Sequence, residues 1–470
     1  MPPGCAARAK TEAFGDLGAA PARSQLPHTP HCVKVRAFRP RTTPALPSTL
    51  PRMNVEIVTI GNEVLSGRTV DTNFAYLARA LEATSVEVMW HSTVGDSAER
   101  IAEGLGRALE RADAVVMTGG LGPTPDDVTR KAVATLLNRP LGLDENVLKA
   151  IRERGKKAGR KLPSTVETMA LIPRGAEVWM NPVGAAPGIV ITHRDKPVIL
   201  LPGVPSEMEA ITEEYLVPFL RERTGRTVES FTLRTYGSWE SQLHERIGAM
   251  PDAWPGASFA YLPSYFGVDL RVTVAGNNAA GVRDTVLRAY NELMAKVRNV
   301  VYAEGGVGME EVVGACLRER SWRIATAESC TGGLLAKRIT DTPGSSAWFE
   351  RGFVTYANAA KLEQLGVDEA TLDAQGAVSA AVAEQMAAGA RERANVEVGV
   401  GITGVAGPDG GSENKPVGTV YIALVTPLGT VSRVHRLLGS RATVRERAAQ
   451  TALDMLRRHL LEIPVDPSLD

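Results

Sequence analysis

Several things are scarce in this chain of 470 residues. Its four cysteines, Cys5, Cys32, Cys316 and Cys330, form no CxxC pair and no zinc-ligand spacing, which argues against a disulfide framework or a zinc site. That usage fits a reducing, cytoplasmic setting. Net charge is missing, because Lys+Arg 53 balance Asp+Glu 53, so no overall field draws the chain to nucleic acid or an anionic membrane. No apolar run reaches the ~18 residues of a spanning helix. Aromatic residues make up 5% of the chain, and no basic stripe is interleaved with them, so direct nucleic-acid binding is not expected. Histidine is sparse too, with seven in all.

What remains is an ordinary globular composition, 44% hydrophobic and 23% charged, long enough for about three domains at ~150 residues each. The ends of the chain differ in kind. Residues 1–52 hold nine Pro, eight Lys/Arg and two acidic residues, Glu12 and Asp16, with no helical or strand period. They are expected to be a disordered tail or a mis-called start, since Met53 opens the strand-like MNVEIVTIG; an Arg-rich presequence is the other reading.

From Met53 on, strand-like and helix-like segments alternate, the pattern of parallel strands joined by crossovers. Strands are expected at 55–60, 86–89, 114–118 and 197–201, and helices at 73–83, 98–111, 126–137 and 206–220, the last with Ser206 as N-cap. Residues 226–302 read as a small α+β unit, with alternating 231–236 and 269–275 and helical 239–248 and 279–298. A second alternating unit occupies 303–465. The expectation is α/β: two three-layer αβα domains (53–225 and 303–465) with mostly parallel sheets, joined by the small module.

Two glycine-rich loops carry the chemistry. Thr118-Gly-Gly-Leu-Gly-Pro-Thr-Pro-Asp-Asp127 links a strand to a helix, where open α/β sheets bind ligands. Gly119, Gly120 and Gly122 would let backbone N–H groups approach a phosphate at a helix start, and Thr124 adds a hydroxyl. Asp126 and Asp127 are at odds with a bound anion unless a divalent cation bridges carboxylate and pyrophosphate. The plain alternative is a tight turn with Asp caps. Glu63, after the first strand, and Glu207, in LPGVPSEM, are candidate metal or ribose ligands, or caps.

In the second unit, Ala327-Glu-Ser-Cys-Thr-Gly-Gly333 offers Ser329, Thr331 and the amides of Gly332 and Gly333 to an anion. No histidine falls in a motif of this unit, which disfavours a Ser-His-Asp triad. A desolvated lysine is an alternative base, because burial lowers its pKa. Tyr356 and Lys361 could flank one serine, and a lysine in the first turn of a helix is electrostatically out of place. Cys330 is read as a buried thiol rather than a nucleophile. Thr403 and Gly404 could supply an oxyanion site, and Arg441 and Arg445 a phosphate clamp, although a solvated basic face is the plain reading of the arginines.

The motifs TIGNEVLSGRTVDTN, TGGLGPTPDD, NPVGAAPG and LPGVPSEM resemble, in that order, the molybdopterin-binding-type domain that opens competence/damage-inducible CinA proteins. That family often has Gly-Asp-Glu where this chain has Gly61-Asn62-Glu63. TAESCTGGLLA, TPGSSAWFERGFVTYANAAK, GAVS and TGVAGPDGGSENKPVGTV resemble the nicotinamide-nucleotide amidases that form the carboxyl half of CinA. The resemblance implies a KH-like module at about 226–300, though no GxxG clamp is present there for RNA. It implies deamidation of nicotinamide mononucleotide without metal or cofactor, with Ser346 as nucleophile, Lys361 as base and Tyr356 as assisting hydroxyl; the choice of Ser346 over Ser345 rests on resemblance alone. The substrate's phosphate would dock on 329–333, helped by Arg441 or Arg445. For the first domain it implies binding of molybdopterin or metal-dependent cleavage of ADP-ribose, with Asp126 and Asp127 holding the metal, and for the chain a bacterial homodimer. A nucleotide- or molybdopterin-binding accessory protein without catalysis is the rival reading.

Overall fold

The computed structural model describes residues 53–157, 159, 163–254 and 256–463; the expectations for residues 1–52 lie outside these. Among the described residues no helix is long and apolar enough to cross a membrane.

The first domain is built on a six-stranded sheet. Met53–Ile60 pairs in parallel with Val86–Val94 and with Ala114–Thr118, which pairs in parallel with Lys196–Leu201. Gly188–His193 and Glu177–Trp179 extend that edge antiparallel. Successive strand residues point to opposite faces, and both faces are buried: Val115 and Met117 pack with Ile101, Leu105 and Val133, whereas Ala114 and Val116 pack with Leu77, Leu81 and Met208. Three layers follow.

Two helix expectations are corrected. The helix expected at 126–137 is Thr129–Leu136, because Asp127 turns back to accept the Thr124 N–H at 2.8 Å. The helix expected at 206–220 is capped by Val204, with Pro205 in its first turn. It runs as Pro205–Ile211, passes a π turn at Thr212–Leu216 and continues as Val217–Thr224.

The module is a four-stranded antiparallel sheet of Thr227–Thr235, Ala257–Ser264, Gly267–Gly276 and Val301–Glu304, its core closed by Leu243, Ile247, Val282, Ala289 and Leu293. The stretch 303–308, which has the look of a linker, thus begins as strand.

The second domain's sheet is mixed. Phe349–Val354, Ile324–Glu328 and Val398–Gly404 are mutually parallel, and the hairpin Thr419–Thr426/Gly429–Arg436 adds antiparallel. Ala423 packs with Ala383 and Ala387; its neighbours Ile422 and Leu424 are buried as well, so this sheet also is covered on both faces. The helix Ala380–Ala394 lies directly on the strand, since a Cβ at Gly401 would stand 2.2 Å from the Ala383 carbonyl. The long helix Arg441–Leu460 runs from the carboxyl ends of the parallel strands to the module. There Tyr236 Oη is 2.7 Å from Thr451 Oγ1, and Gln450 Nε2 donates to the Phe266 carbonyl at 3.2 Å.

Candidate functional sites

In the first domain three loops meet beyond the carboxyl ends of parallel strands. Gly119, at φ 112, lies so close to the Ile60 carbonyl that a Cβ would stand 2.3 Å from it, and its N–H donates to Leu201 O at 3.1 Å. Asn73 ties these loops together: its Nδ2 donates to Thr118 Oγ1 at 3.1 Å and to Gly203 O at 2.9 Å. Its Oδ1 is buried without a partner. Gly120 backs onto the Thr129 hydroxyl, which donates to Gly119 O at 2.9 Å. Arg130, buried despite its charge, holds the carbonyls of Leu121 and Gly122. A helix arginine reads as solvated surface, so sequence gave no sign of this brace.

The acidic candidates do not gather. Asp126 is exposed, and Asp127 Oδ2 is taken by the backbone and hydroxyl of Thr124 while packing on Gly122. Exposed Glu63 folds back over Gly61. Glu207 accepts from Asn181 Nδ2 at 2.7 Å; burial raises its pKa, with that hydrogen bond opposing. Among the described residues no group of three or more His, Cys, Asp or Glu is placed to hold a metal. Asp126 and Asp127 thus form an ordered turn in which Asp127 is engaged by Thr124.

In the second domain the parallel strands place three loops side by side. Glu328 is in register with both Val354 and Ile402, so Ser329, Thr355–Tyr356 and Thr403 follow at one end of the sheet. Lys361 enters from the helix Asn358–Leu365. It is 1% exposed, and an ammonium has three N–H donors. Nζ donates to Thr355 O at 2.8 Å, Tyr356 O at 3.2 Å and Ser329 Oγ at 3.3 Å. Burial lowers its pKa below the ordinary 10.5, since a cation loses hydration there.

Ser346 is elsewhere. It is exposed on the 3-10 turn Ser345–Ala347, before the strand Phe349–Val354 begins. That strand ends at the Tyr356 side. Its six residues at ~3.3 Å each put roughly 20 Å between Ser346 and Lys361. The hydroxyl beside the lysine belongs to Ser329, which the sequence had suggested as an anion ligand.

The other expected residues keep their neighbourhood but change roles. Tyr356 is 59% exposed and its hydroxyl accepts from Arg441 Nη2 at 2.8 Å, while Arg441 Nη1 donates to Gly407 O at 2.7 Å. Arg445 donates through Nε and Nη2 to Thr331 O at 3.2 and 2.7 Å. The Thr331 hydroxyl is buried without a partner. Gly332 and Gly333 take positive φ, 58 and 89. The helix start beyond them does not await a phosphate, because Glu328 occupies it: Oε2 accepts Leu335 N at 3.0 Å and Oε1 accepts Ala336 N at 2.8 Å. Thr403 spends its hydroxyl on Ala377 O at 2.7 Å, and Gly404 pairs with Val420 in the sheet.

Family models match the chain in three consecutive stretches: a probable molybdopterin binding domain at 56–222, the damage-inducible protein CinA KH domain at 230–303 and the CinA C-terminal domain at 307–460. A CinA-like protein of Gemmatimonas aurantiaca is 42% identical over 412 residues, 86% of this chain and 96% of that relative. The chain belongs to the CinA family. A second CinA-like protein, from Desulfovibrio desulfuricans, is 42% identical over 423 residues, 88% of this chain and 98% of its own. The solved CinA of Thermoplasma acidophilum, 40% identical, covers 34% of this chain and 95% of itself, with TM-score 0.33. Cys330, next to Ser329 in this CinA-family chain, is not an alternative nucleophile: burial pushes its thiol up to about 11, where little thiolate exists at neutral pH. Iodoacetamide at neutral pH is expected to leave Cys330 unlabelled in the native protein and to label it after unfolding, as peptide mass spectrometry would read.

Proposed function

We propose that the carboxyl-terminal domain is a Ser/Lys hydrolase that converts nicotinamide mononucleotide to nicotinate mononucleotide and ammonia. The observation that carries this reading is the 3.3 Å approach of Lys361 Nζ to Ser329 Oγ in a site where the lysine is buried. In its neutral form the amine accepts the Ser329 proton. Oγ then attacks the carboxamide carbon, and the resulting Lys361 ammonium returns the proton to the departing nitrogen, which leaves as ammonia. Water, deprotonated by the same lysine, cleaves the acyl-serine and regenerates Oγ–H. The carbonyls of Thr355 and Tyr356 hold Nζ while it carries charge. Arg441 and Tyr356 Oη, joined at 2.8 Å on the exposed rim, are the groups suited to an anionic substrate arm. The choice of pyridine nucleotide rests on the resemblance of the 327–361 and 403–420 motifs to nicotinamide-nucleotide amidases. The test is ammonia release from nicotinamide mononucleotide by the full chain, with and without EDTA; chelator-resistant release supports the assignment, and no release from folded protein overturns it.

A second reading concerns the first domain. Asn73 Oδ1, buried and unpartnered at the meeting of three loops, favours ligand binding there, and a nucleotide such as ADP-ribose is the ligand proposed. Since Asp127 is committed to Thr124, no metal-dependent pyrophosphate cleavage is derived. Titration calorimetry with ADP-ribose is expected to show binding that Asn73→Ala weakens at least about ten-fold, the worth of one well-placed buried hydrogen bond. An unchanged Kd, or no heat with the unsubstituted protein, would remove this reading.

A further inference from the structure

Glu328 has no part in the chemistry above, yet it is 1% exposed and no cation is among its hydrogen-bond partners. A buried carboxylate without such compensation is costly. What compensates it is the start of the helix Leu334–Asp341. The N-cap of that helix is Gly333, which has no side chain to offer, and Glu328 reaches across from the strand end to accept Leu335 N at 3.0 Å and Ala336 N at 2.8 Å. Both bonds lie at the positive end of the helix dipole. Thr326 Oγ1 is 3.5 Å from Oε1.

The backbone of the same residue closes a ring around the reacting pair. Thr355 N donates to Glu328 O at 2.9 Å, Lys361 Nζ donates to Thr355 O at 2.8 Å and to Ser329 Oγ at 3.3 Å, and Ser329 follows Glu328 in the chain. Ser329 N is pinned in turn to Ile402 O at 2.9 Å. Arg445 holds the middle of the 329–333 turn at Thr331 O, and the Glu328 carboxylate fixes its far side by clamping the helix that follows.

We propose that Glu328 is a positioning residue, whose carboxylate sets the 329–333 turn so that Ser329 Oγ stays within reach of Lys361. This rests on Ser329 being the nucleophile. Gly333 takes φ 89, a left-handed conformation that the usual capping residues Ser, Thr and Asp adopt only with strain, so the cap comes from a side chain outside the turn. A capping carboxylate anchored on the strand instead locks strand end, turn and helix as one unit.

The test compares Glu328→Gln, which keeps one acceptor, with Glu328→Met, which keeps length and no acceptor, beside Ser329→Ala, all in the full chain. Three quantities are read: kcat and KM for ammonia release, the rate at which a fluorophosphonate labels Ser329, and amide exchange at Leu335 and Ala336. A misplacement of about 1 Å can cost about 100-fold. Labelling and kcat are therefore expected to fall about ten-fold in Glu328→Gln and about 100-fold in Glu328→Met, with KM within about two-fold and exchange at Leu335 and Ala336 accelerated. Accelerated exchange with unchanged labelling and kcat would mean a cap only and overturn the proposal; should Glu328→Met not fold, Glu328→Gln decides alone. If Ser329→Ala keeps its activity, or Ser329 is not labelled in the unsubstituted protein, the nucleophile assignment falls and takes the proposal with it. Loss of activity in Ser329→Ala alone would refute Glu328 while sparing the nucleophile.

Discussion

Ser329→Ala is expected to cut ammonia release by at least about a thousand-fold, as loss of an attacking hydroxyl does in other serine hydrolases, with the fold intact. Ser346→Ala in the same assay is expected to stay within about two-fold, because roughly 20 Å of strand separate it from the lysine. The pair of variants tests geometry against motif resemblance, since the resemblance alone had singled out Ser346. Substrate binding should survive in Ser329→Ala, because Arg441 and Arg445 are held by Gly407 O, Tyr356 Oη and Thr331 O, not by the serine hydroxyl. Quench-flow would then show no acyl-enzyme, and calorimetry would still show binding. The reverse result, inactive Ser346→Ala and active Ser329→Ala, would return the nucleophile to the far end of the sheet.

Lys361→Arg and Lys361→Met should each lower kcat by about 100- to 10,000-fold, the usual contribution of a positioned base. Arginine retains the cation but cannot surrender its proton, so its failure would separate base chemistry from charge. The pH profile carries the sign. Lys361 works when neutral, so activity rises with pH as the ammonium loses its proton and is lost as pH falls through the native lysine pKa. Burial sets that pKa below 10.5, so the acid limb of kcat should have a one-proton slope and a midpoint below the ordinary lysine value. A limb at or above that value, or an arginine variant with near-normal turnover, would rule lysine out as the base.

Much of the architecture was legible because buried parallel strands are continuously apolar: Ala114–Thr118 is buried at every position. The antiparallel additions were harder. Glu177–Trp179 has three residues, too few for a period of two to stand out. The helix start at 126 failed because Asp127 was already engaged with Thr124. At the site, the odd placement of Lys361 coincides with its burial beside Ser329, whereas that neighbour was not readable from proximity along the chain. Ser346 is nearer to Lys361 in sequence, but a parallel strand carries the chain from one end of the sheet to the other, so residues on either side of it are kept apart. Residues that follow neighbouring parallel strands, such as Ser329 and Thr355, are brought together instead. Arg130 and Glu328 gave no signal, because their partners are backbone groups seven to nine residues away, which a pattern of side chains does not reveal.

The helix Arg441–Leu460 holds the site at its start, through Arg441 and Arg445, and the module farther along, through Gln450 and Thr451. It is also the last of the site's elements to leave the ribosome. Ser329 and Lys361 are synthesised well before it, at ~5–20 residues per second. Until it arrives, Thr331 O lacks the guanidinium of Arg445. A nascent chain therefore carries the 329–333 turn without that brace. The site is thus completed by one late docking event, which also joins it to the module.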